Sequence, residues 1–237
     1  MERQAADGLE TCDWTAIARR LETQGAALTG PILTPDESSG LATLFDEETL
    51  FRKTIVMQRH GYGAGCYRYF ANPLPQKIAG LRWAFYARLV ELARAWSDRL
   101  DLGQRYPHRL DDYLMTCHAA GQKRPTPLLL RYGPGDYNRL HQDLYGALYF
   151  PLQVVVQLSD PAHDFEGGDL VLVESRARMQ GRAQVLRPAQ GEAAIFANSL
   201  FPAPGKRGPV RAQLRHGVSE VTRGKRTTLG LIFHDAA

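Results

Sequence analysis

The triplet His141-Gln142-Asp143 contains the only histidine, of seven in the chain, that is followed two residues later by a carboxylate. In an extended strand, residues i and i+2 point to the same side, so this imidazole and carboxylate would converge on one point. A second histidine from a neighbouring strand would complete a set that holds one face of an octahedral metal ion. The opposite face would stay open, which suits an Fe(II) centre that activates oxygen. Alone, the triplet is weak evidence, because a His–Asp pair more often forms a structural hydrogen bond.

The segment that begins at His216 supplies a candidate for the second histidine. Residues 216–226 (HGVSEVTRGKR) indicate a strand, a turn and a strand, so we expect a hairpin to bring Arg226 back beside His216. A lone arginine in an apolar interior needs an anion, and a dicarboxylate could chelate the metal at one end and pair with Arg226 at the other. Thr228 shares the parity of Arg226 on its strand and could add a hydroxyl group. Tyr132 could direct its phenol at the same carboxylate.

Four motifs occur in one order along residues 128–234, and together they carry a family resemblance. They are RYGPGDYNRLHQD at 131–143, EGGDL at 166–170, GEAAIF at 191–196 and the segment 216–226. In content, order and spacing they resemble the 2-oxoglutarate- and Fe(II)-dependent dioxygenases, and within these the prolyl 4-hydroxylase-like branch. The resemblance implies a double-stranded β-helix, a jelly-roll (cupin-like) barrel backed by N-terminal helices.

The resemblance also implies a set of site residues and cofactors. Fe(II) would be held by His141, Asp143 and His216, which are then the catalytic residues, and 2-oxoglutarate by Arg226 with Tyr132 and Thr228 as helpers. Molecular oxygen would be the second cosubstrate and ascorbate a candidate reductant. The implied reaction hydroxylates an unactivated C–H bond and releases succinate and CO2. The leading substrate is a prolyl residue of a peptide or protein.

The resemblance does not fix the substrate, because the chain departs from the branch in two places. Collagen-type enzymes usually carry lysine where this chain has Arg226, and the segment 198–213 is longer than usual. We expect that segment to be a loop that grips substrate through Lys206, Arg207 and Arg211.

Three other readings therefore stay open. Residues 172–226 carry 11 basic against 3 acidic residues, so an alkylated nucleic acid that undergoes oxidative demethylation is the alternative substrate. A free amino acid or another small molecule is a further option. The non-enzymatic alternative is a barrel that binds an anionic partner, and metal content would separate it from the enzyme.

The five remaining histidines are expected to be structural or at the surface.

The elements around these motifs predict a mainly β fold with α support (α+β). Thr34 and Glu37 form a capping box that starts a helix, and residues 75–100 carry an apolar stripe at helical spacing. Residues 59–70 indicate a hairpin or strand pair, and 111–120 a shorter helix. Seven short apolar runs then predict strands, at 128–132, 147–158, 169–173, 183–186, 193–197, 213–221 and 227–233. We expect one domain over 1–237, with a mostly helical support region at 1–126 and the β-helix core at 127–237.

Composition excludes several classes of protein. The chain has 237 residues, 44% hydrophobic and 23% charged, which is typical of a globular domain and not of a disordered one. No apolar run approaches the ~20 residues of a membrane-spanning helix, and the N-terminus lacks the apolar stretch of a secretory signal. The three cysteines are too far apart for a disulfide framework or a zinc cluster. We therefore expect a cytoplasmic protein with no membrane partner.

Overall fold

The helices lie in the first half of the chain. The structure, a computed structural model, describes residues 7–206 and 208–237, so the predicted substrate contact Arg207 lies outside the described residues. The α-helices are α1 (Asp7–Glu10), α2 (Trp14–Gln24), α3 (Pro35–Thr43), α4 (Gln76–Leu100) and α5 (Leu110–Ala119). Short 3-10 helices occupy Leu44–Asp46, Glu48–Leu50 and Met57–His60. Among the described residues, none of the helices combines the length and the hydropathy that crossing a lipid bilayer requires.

Two of the helices follow directly from local sequence. The capping box at α3 is confirmed: the Glu37 backbone N–H donates to Thr34 Oγ1 at 3.2 Å, and the Thr34 N–H donates to Glu37 Oε2 at 2.9 Å. The predicted helix at 75–100 is α4. Its apolar stripe is buried at Ile78, Leu81, Phe85, Leu89 and Trp96. Burial of this stripe, more than helix propensity, holds α4 on the sheets.

In the described residues there are fifteen strands, and all their pairings are antiparallel. They are β1 (Ala26–Pro31), β2 (Phe51–Val56), β3 (Gly63–Ala64), β4 (Cys66–Phe70), β5 (Leu128–Tyr132), β6 (Tyr137–His141), β7 (Leu152–Gln157), β8 (Phe165–Gly167), β9 (Leu170–Ser175), β10 (Arg182–Leu186), β11 (Glu192–Ala197), β12 (Leu200–Ala203), β13 (Val210–Val218), β14 (Val221–Gly224) and β15 (Arg226–Leu231). All seven predicted apolar runs contain strands.

The strands form two main sheets. One has the order β1-β11-β7-β15-β5-β4-β2, and the other β10-β9-β13-β6-β3 with β12 paired to β13. Strands β8 and β14 make a separate pair. Apolar residues of the two main sheets, among them Val154, Leu172 and Leu214, share one buried cluster. The chain therefore has the expected jelly-roll architecture with helices at its side, although the sheets do not close into a barrel.

The N-terminal region contributes more strand than its sequence indicates. Strands β1, β2 and β4 extend the larger sheet at its two ends, so the described part of residues 1–126 contributes strands to the core as well as helices. The segment 59–70 is not a hairpin on itself: β4 pairs with β2 and β5, while β3 pairs with β6. These strands form because sheet edges are available in the folded core, and such long-range pairing leaves little trace in local sequence.

The segment 198–213 is more regular than the loop expected from its sequence. Most of it forms a hairpin in which β12 pairs with the start of β13, from Leu200 opposite Gln213 to Ala203 opposite Val210. The Arg211 guanidinium donates to the backbone carbonyl of Leu100 at the end of α4. Strand β12 also packs on α2 and α4, so this hairpin lies against the helices.

A buried ion pair connects α4 to the C-terminal end of the chain. Arg82 and Asp235 are 3% and 2% exposed, and the guanidinium donates to Asp235 Oδ1 at 2.9 Å and to the carbonyl of Ile232 at 2.9 Å. His118 contacts the other carboxylate oxygen at 2.8 Å. In the apolar interior, either charge would be costly without the other.

We predict that Asp235→Ala lowers the free energy of unfolding by about 3–5 kcal/mol, because it leaves the Arg82 charge buried without its partner. The matched control is Glu166→Ala, which breaks the exposed pair with Arg223 and should cost under about 1 kcal/mol. Urea denaturation measures both. Equal losses in the two variants would contradict the prediction.

Candidate active site

The register between β6 and β13 brings two histidines face to face. His141, the last residue of β6, is the direct partner of His216 on β13. Their ring centroids lie 4.1 Å apart, and the His216 side chain is also packed against Phe196 at 4.9 Å. The amide nitrogen of Gln153, on the opposite sheet, lies 3.2 and 3.3 Å from the two ring nitrogens of His216. The imidazoles therefore share one small volume between the sheets.

Asp143 joins the histidines just beyond the end of β6. Its Oδ1 lies 3.6 Å from His141 Nε2, and its Oδ2 lies 3.3 Å from His216 Nε2. Asn198 fixes this turn, since its side chain accepts from the Asp143 N–H at 3.1 Å and donates to the Asp143 carbonyl at 2.7 Å. One ligand atom from each of His141, Asp143 and His216 falls within 4.8 Å of the others, close enough to hold one metal ion.

The environment favours the protonation states that a metal requires. Burial, with some repulsion from His141, lowers the pKa of His216, so its imidazole is neutral near pH 7. Burial alone would raise the pKa of the Asp143 carboxyl group, but hydrogen bonds from His216 and Tyr145 hold it well below its usual range. Two imidazoles and one carboxylate are the donor set of a mononuclear Fe(II) site, so these residues fit that ion.

Two tyrosines that sequence reasoning missed orient the carboxylate. The Tyr145 hydroxyl donates to Asp143 Oδ1 at 2.5 Å, and the Tyr69 hydroxyl donates to the Tyr145 oxygen at 3.1 Å. Tyr145 follows Asp143 by two residues, a spacing that could have signalled its position, whereas Tyr69 comes from β4 without any local signal. The phenol of Tyr145 therefore engages Oδ1, while Oδ2 lies 3.3 Å from His216 Nε2.

Arg226 reaches the same volume from the other sheet. It begins β15, opposite Tyr132 on β5, and is 2% exposed. The chain reaches it by crossing between sheets through β14, so the simple hairpin expected between His216 and Arg226 is not formed. Among the described residues, the Arg226 guanidinium has no ion-pair or hydrogen-bond partner. Its guanidinium carbon lies 5.7 Å from the centroid of the Tyr132 ring.

A cavity of about 410 Å³ connects all six predicted site residues. Its lining includes His141, Asp143, His216, Tyr132, Arg226 and Thr228. The phenol of Tyr132 is fully buried and accepts from Asn138 Nδ2 at 3.5 Å, and Thr228 is 1% exposed. A cluster able to hold a metal thus faces an unpaired guanidinium across a space large enough for a small dicarboxylate and part of a substrate.

The other histidines occupy varied positions. His163 is at the surface as expected, paired with Asp160, and His234 is buried and accepts a hydrogen bond from the Phe150 N–H at 3.1 Å. His60 is exposed, as expected, and stacks on Tyr62, a residue that lines the cavity. No local sequence pattern indicates that this histidine contacts a cavity residue.

Comparisons with known proteins agree with this geometry. A family described as an oxygenase catalysing oxidative methylation of damaged DNA, Oxygenase-NA, matches residues 65–236. The chain belongs to the Oxygenase-NA family. Two proteins of Mycobacterium tuberculosis, the uncharacterized proteins Rv2227 (strain H37Rv) and MT2286 (strain CDC 1551), are each 47% identical to this Oxygenase-NA protein over 168 residues. The match covers 71% of this chain and 72% of each relative.

Solved structures show the same fold. A prolyl-4-hydroxylase from Pseudomonas putida superposes with a TM-score of 0.55 at 17% identity, covering 94% of this chain and 99% of that one. A 2OG-Fe(II) oxygenase family oxidoreductase from Burkholderia pseudomallei gives 0.54 at 17% identity, covering 96% and 94%. A prolyl hydroxylase from Trichoplax adhaerens gives 0.51 at 11% identity, covering 92% and 87%. The resemblance to 2-oxoglutarate-dependent dioxygenases with a prolyl 4-hydroxylase-like fold is confirmed.

We predict that His141→Ala and Asp143→Ala each abolish binding of Mn(II) or Fe(II) while the fold of this Oxygenase-NA protein survives. Each variant removes one of three ligands, and the two left cannot hold the ion. Anaerobic titration calorimetry measures the affinity and circular dichroism the fold. His163→Ala, a change at an exposed histidine, should bind metal like the wild type. Unchanged affinity in both site variants would end the claim.

We predict that Tyr145→Phe weakens Mn(II) binding roughly tenfold to a hundredfold, the usual cost of losing a group that orients a metal ligand. The visible spectrum of bound Co(II) should also change as the Asp143 carboxylate becomes free to rotate. Tyr106→Phe removes a buried hydroxyl that donates to the Tyr149 carbonyl and serves as the control. If Tyr145→Phe matches this control in affinity and spectrum, Tyr145 has no orienting role.

Proposed function

We propose that this protein is an Fe(II)- and 2-oxoglutarate-dependent oxygenase that oxidises a methyl group on a damaged nucleic-acid base. The observation that carries the proposal is the content of one cavity: a His–Asp–His cluster on one sheet and the buried, unpaired Arg226 on the other. A cation without a partner in an apolar interior calls for an anionic ligand. The three residues that could hold a metal ion would not by themselves specify a cosubstrate.

A different group fixes each of the three proposed metal ligands. His141 is fixed by the hydrogen-bond contact of its Nδ1 with the Arg139 carbonyl at 2.7 Å, which directs Nε2 into the cavity. His216 is fixed by the packing of Phe196, and Asp143 by Asn198 and Tyr145. Bound Fe(II), with oxygen and 2-oxoglutarate, supplies the oxidising power that inserts one oxygen atom into a C–H bond and releases succinate and CO2. The protein orients the reactants and keeps water out.

Arg226 would receive the far carboxylate of 2-oxoglutarate. Its planar fork can donate two parallel hydrogen bonds to a carboxylate, and its burial makes that pair stronger than one in water. Tyr132 lies beside the guanidinium and Thr228 follows it on the same face of β15, so both hydroxyl groups can add to the binding of the same carboxylate. Binding at this end places the keto-acid end toward the metal ligands.

The description of the Oxygenase-NA family supports a damaged nucleic acid as the substrate. Hydroxylation of a methyl group attached to a base nitrogen gives a hydroxymethyl group that leaves as formaldehyde and restores the base. Charge agrees with this substrate, since the excess of basic residues in 172–226 favours a polyanion. Damaged nucleic acid therefore replaces the prolyl residue, which the sequence had favoured, as the leading candidate substrate.

A prolyl residue of a peptide remains the second candidate. The motifs at 131–143 and 216–226 favour it, because they resemble the prolyl 4-hydroxylase-like branch. The predicted role of the segment 198–213 in holding a peptide loses its support, since no described residue of that segment lines the cavity. Ascorbate as a reductant stays a prediction, tested by its effect on the number of turnovers.

We predict that Arg226→Ala raises the Kd for 2-oxoglutarate more than tenfold without emptying the metal site. Truncating one member of a buried charge pair costs about 2–5 kcal/mol. Lys225→Ala removes the neighbouring charge at an exposed position and should leave the Kd unchanged. Calorimetry with Mn(II) present measures both variants. An unchanged Kd for Arg226→Ala would assign this arginine to the structure only.

The substrate is tested by incubating the Fe(II)-loaded protein with 2-oxoglutarate and oligonucleotides that carry N-methylated bases. We expect succinate and formaldehyde to form in equal amounts and the mass of the oligonucleotide to fall by one CH2 group. Proline-containing peptides are assayed in parallel for the gain of one oxygen atom. Hydroxylated peptide, with no change in any oligonucleotide, would replace the nucleic-acid proposal with the prolyl one.

A further inference from the structure

The mouth of the cavity carries a pair of stacked aromatic rings. His60 and Tyr62 lie with ring centroids 5.3 Å apart and an interplanar angle of 22°. Tyr62 lines the cavity and is 49% exposed, so its ring is free to contact another planar group. Leu140, also in the lining, is 46% exposed, and Leu144, beside Asp143, is 45% exposed. Exposed apolar side chains grouped at a cavity mouth mark a binding surface.

The stacked pair is fixed to the strand that carries His141. The Arg139 N–H donates to the Tyr62 carbonyl at 2.8 Å, and β3, which follows Tyr62, pairs with β6. Gly63 has a φ of +137°, and a Cβ at this position would lie 2.3 Å from the Tyr137 carbonyl oxygen. Glycine therefore permits the close approach of the two strands. The aromatic pair is thus held in a set position relative to the metal ligands.

Two exposed arginines accompany the rings. Arg59 immediately precedes His60, and Arg139 lines the cavity two residues before His141. Among the described residues, neither has an acidic partner. Asp143, a metal ligand, is the single acidic residue among those described as lining the cavity. The mouth therefore combines flat aromatic surface with positive charge that is not neutralised locally.

We propose that this mouth binds a single-stranded nucleic acid around the base that enters the cavity. Tyr62 and Arg139 belong to its lining, His60 stacks on Tyr62, and Arg59 is the exposed neighbour of His60 in the chain. A base next to the target stacks on Tyr62, and its phosphates contact Arg59 and Arg139. A single strand fits because each base has an accessible face, whereas in a duplex both faces are covered by neighbouring bases. The inference rests on the proposed function and deepens it by naming the form of the substrate and the residues that select it.

Binding of a fluorescein-labelled 15-mer oligonucleotide, measured by anisotropy, tests the platform. Tyr62→Ala should raise the Kd about tenfold or more, the size expected for a lost base–aromatic stack, while Tyr62→Trp should restore binding. Met115→Ala, at an exposed apolar residue of α5 outside the cavity, should have no effect. Thermal unfolding checks that each variant is folded.

The salt dependence of the Kd tests the arginines separately. Arg59→Ala and Arg139→Ala should each lower the slope of log Kd against log salt by about 0.7, the value for one phosphate contact on a single strand. Arg20→Ala, at an exposed arginine of α2, should leave the slope unchanged.

Three results would separate failure of the inference from failure of the proposed function. If the wild type binds and demethylates the oligonucleotide, and the Tyr62 and arginine variants do the same, the platform is wrong and the function stands. If the wild type binds the duplex as tightly as the single strand, preference for a single strand is wrong. If the wild type neither binds nor alters any oligonucleotide but hydroxylates a peptide, both proposals are overturned.

Discussion

The antiparallel register of β6 with β13 is the constraint on which the candidate site depends. It sets His141 directly opposite His216, and a shift of one residue would turn the side chains of one strand to the other face of the sheet. Asp143 then has to reach the same volume from outside the strand. It does so because Asn198 satisfies both backbone groups of its turn. Hydrogen bonds to the backbone therefore largely determine where His141, Asp143 and His216 lie.

The second constraint is the gap between the sheets. Arg226 lies on the sheet opposite the histidines, so the distance between the cluster and the guanidinium is set by how the two sheets pack. Aliphatic residues of both sheets fix that packing, and the Arg82–Asp235 pair connects α4 to the end of the chain just after β15. Because a close-packed interior deforms little, the space between metal ligands and cation keeps its length. Under the proposed function, this gap would select a cosubstrate by its length as well as by its charge.

In the two proposals, chemistry and recognition use positions that are only two residues apart on one strand. His141, at the end of β6, belongs to the cluster, while Arg139 on the same strand belongs to the mouth together with Tyr62. The mouth differs from the interior in that its charges are exposed and its aromatic rings are uncovered. Residues outside the metal-binding set can therefore direct a reaction common to many oxygenases to one substrate class.

The sequence by itself determined the reaction class, the six site residues brought to one cavity, the capping box of α3, the helix α4 and the seven strand-forming runs. These features depend on residue type at short spacing, which local sequence records directly. Tertiary structure alone decided the strands β1, β2 and β4, the hairpin at 198–213, the crossing of the chain between His216 and Arg226, and the positions of Tyr69, Asn198 and His60. Each of these depends on groups that are far apart in the chain and meet only when the sheets pair, so no local pattern specifies them.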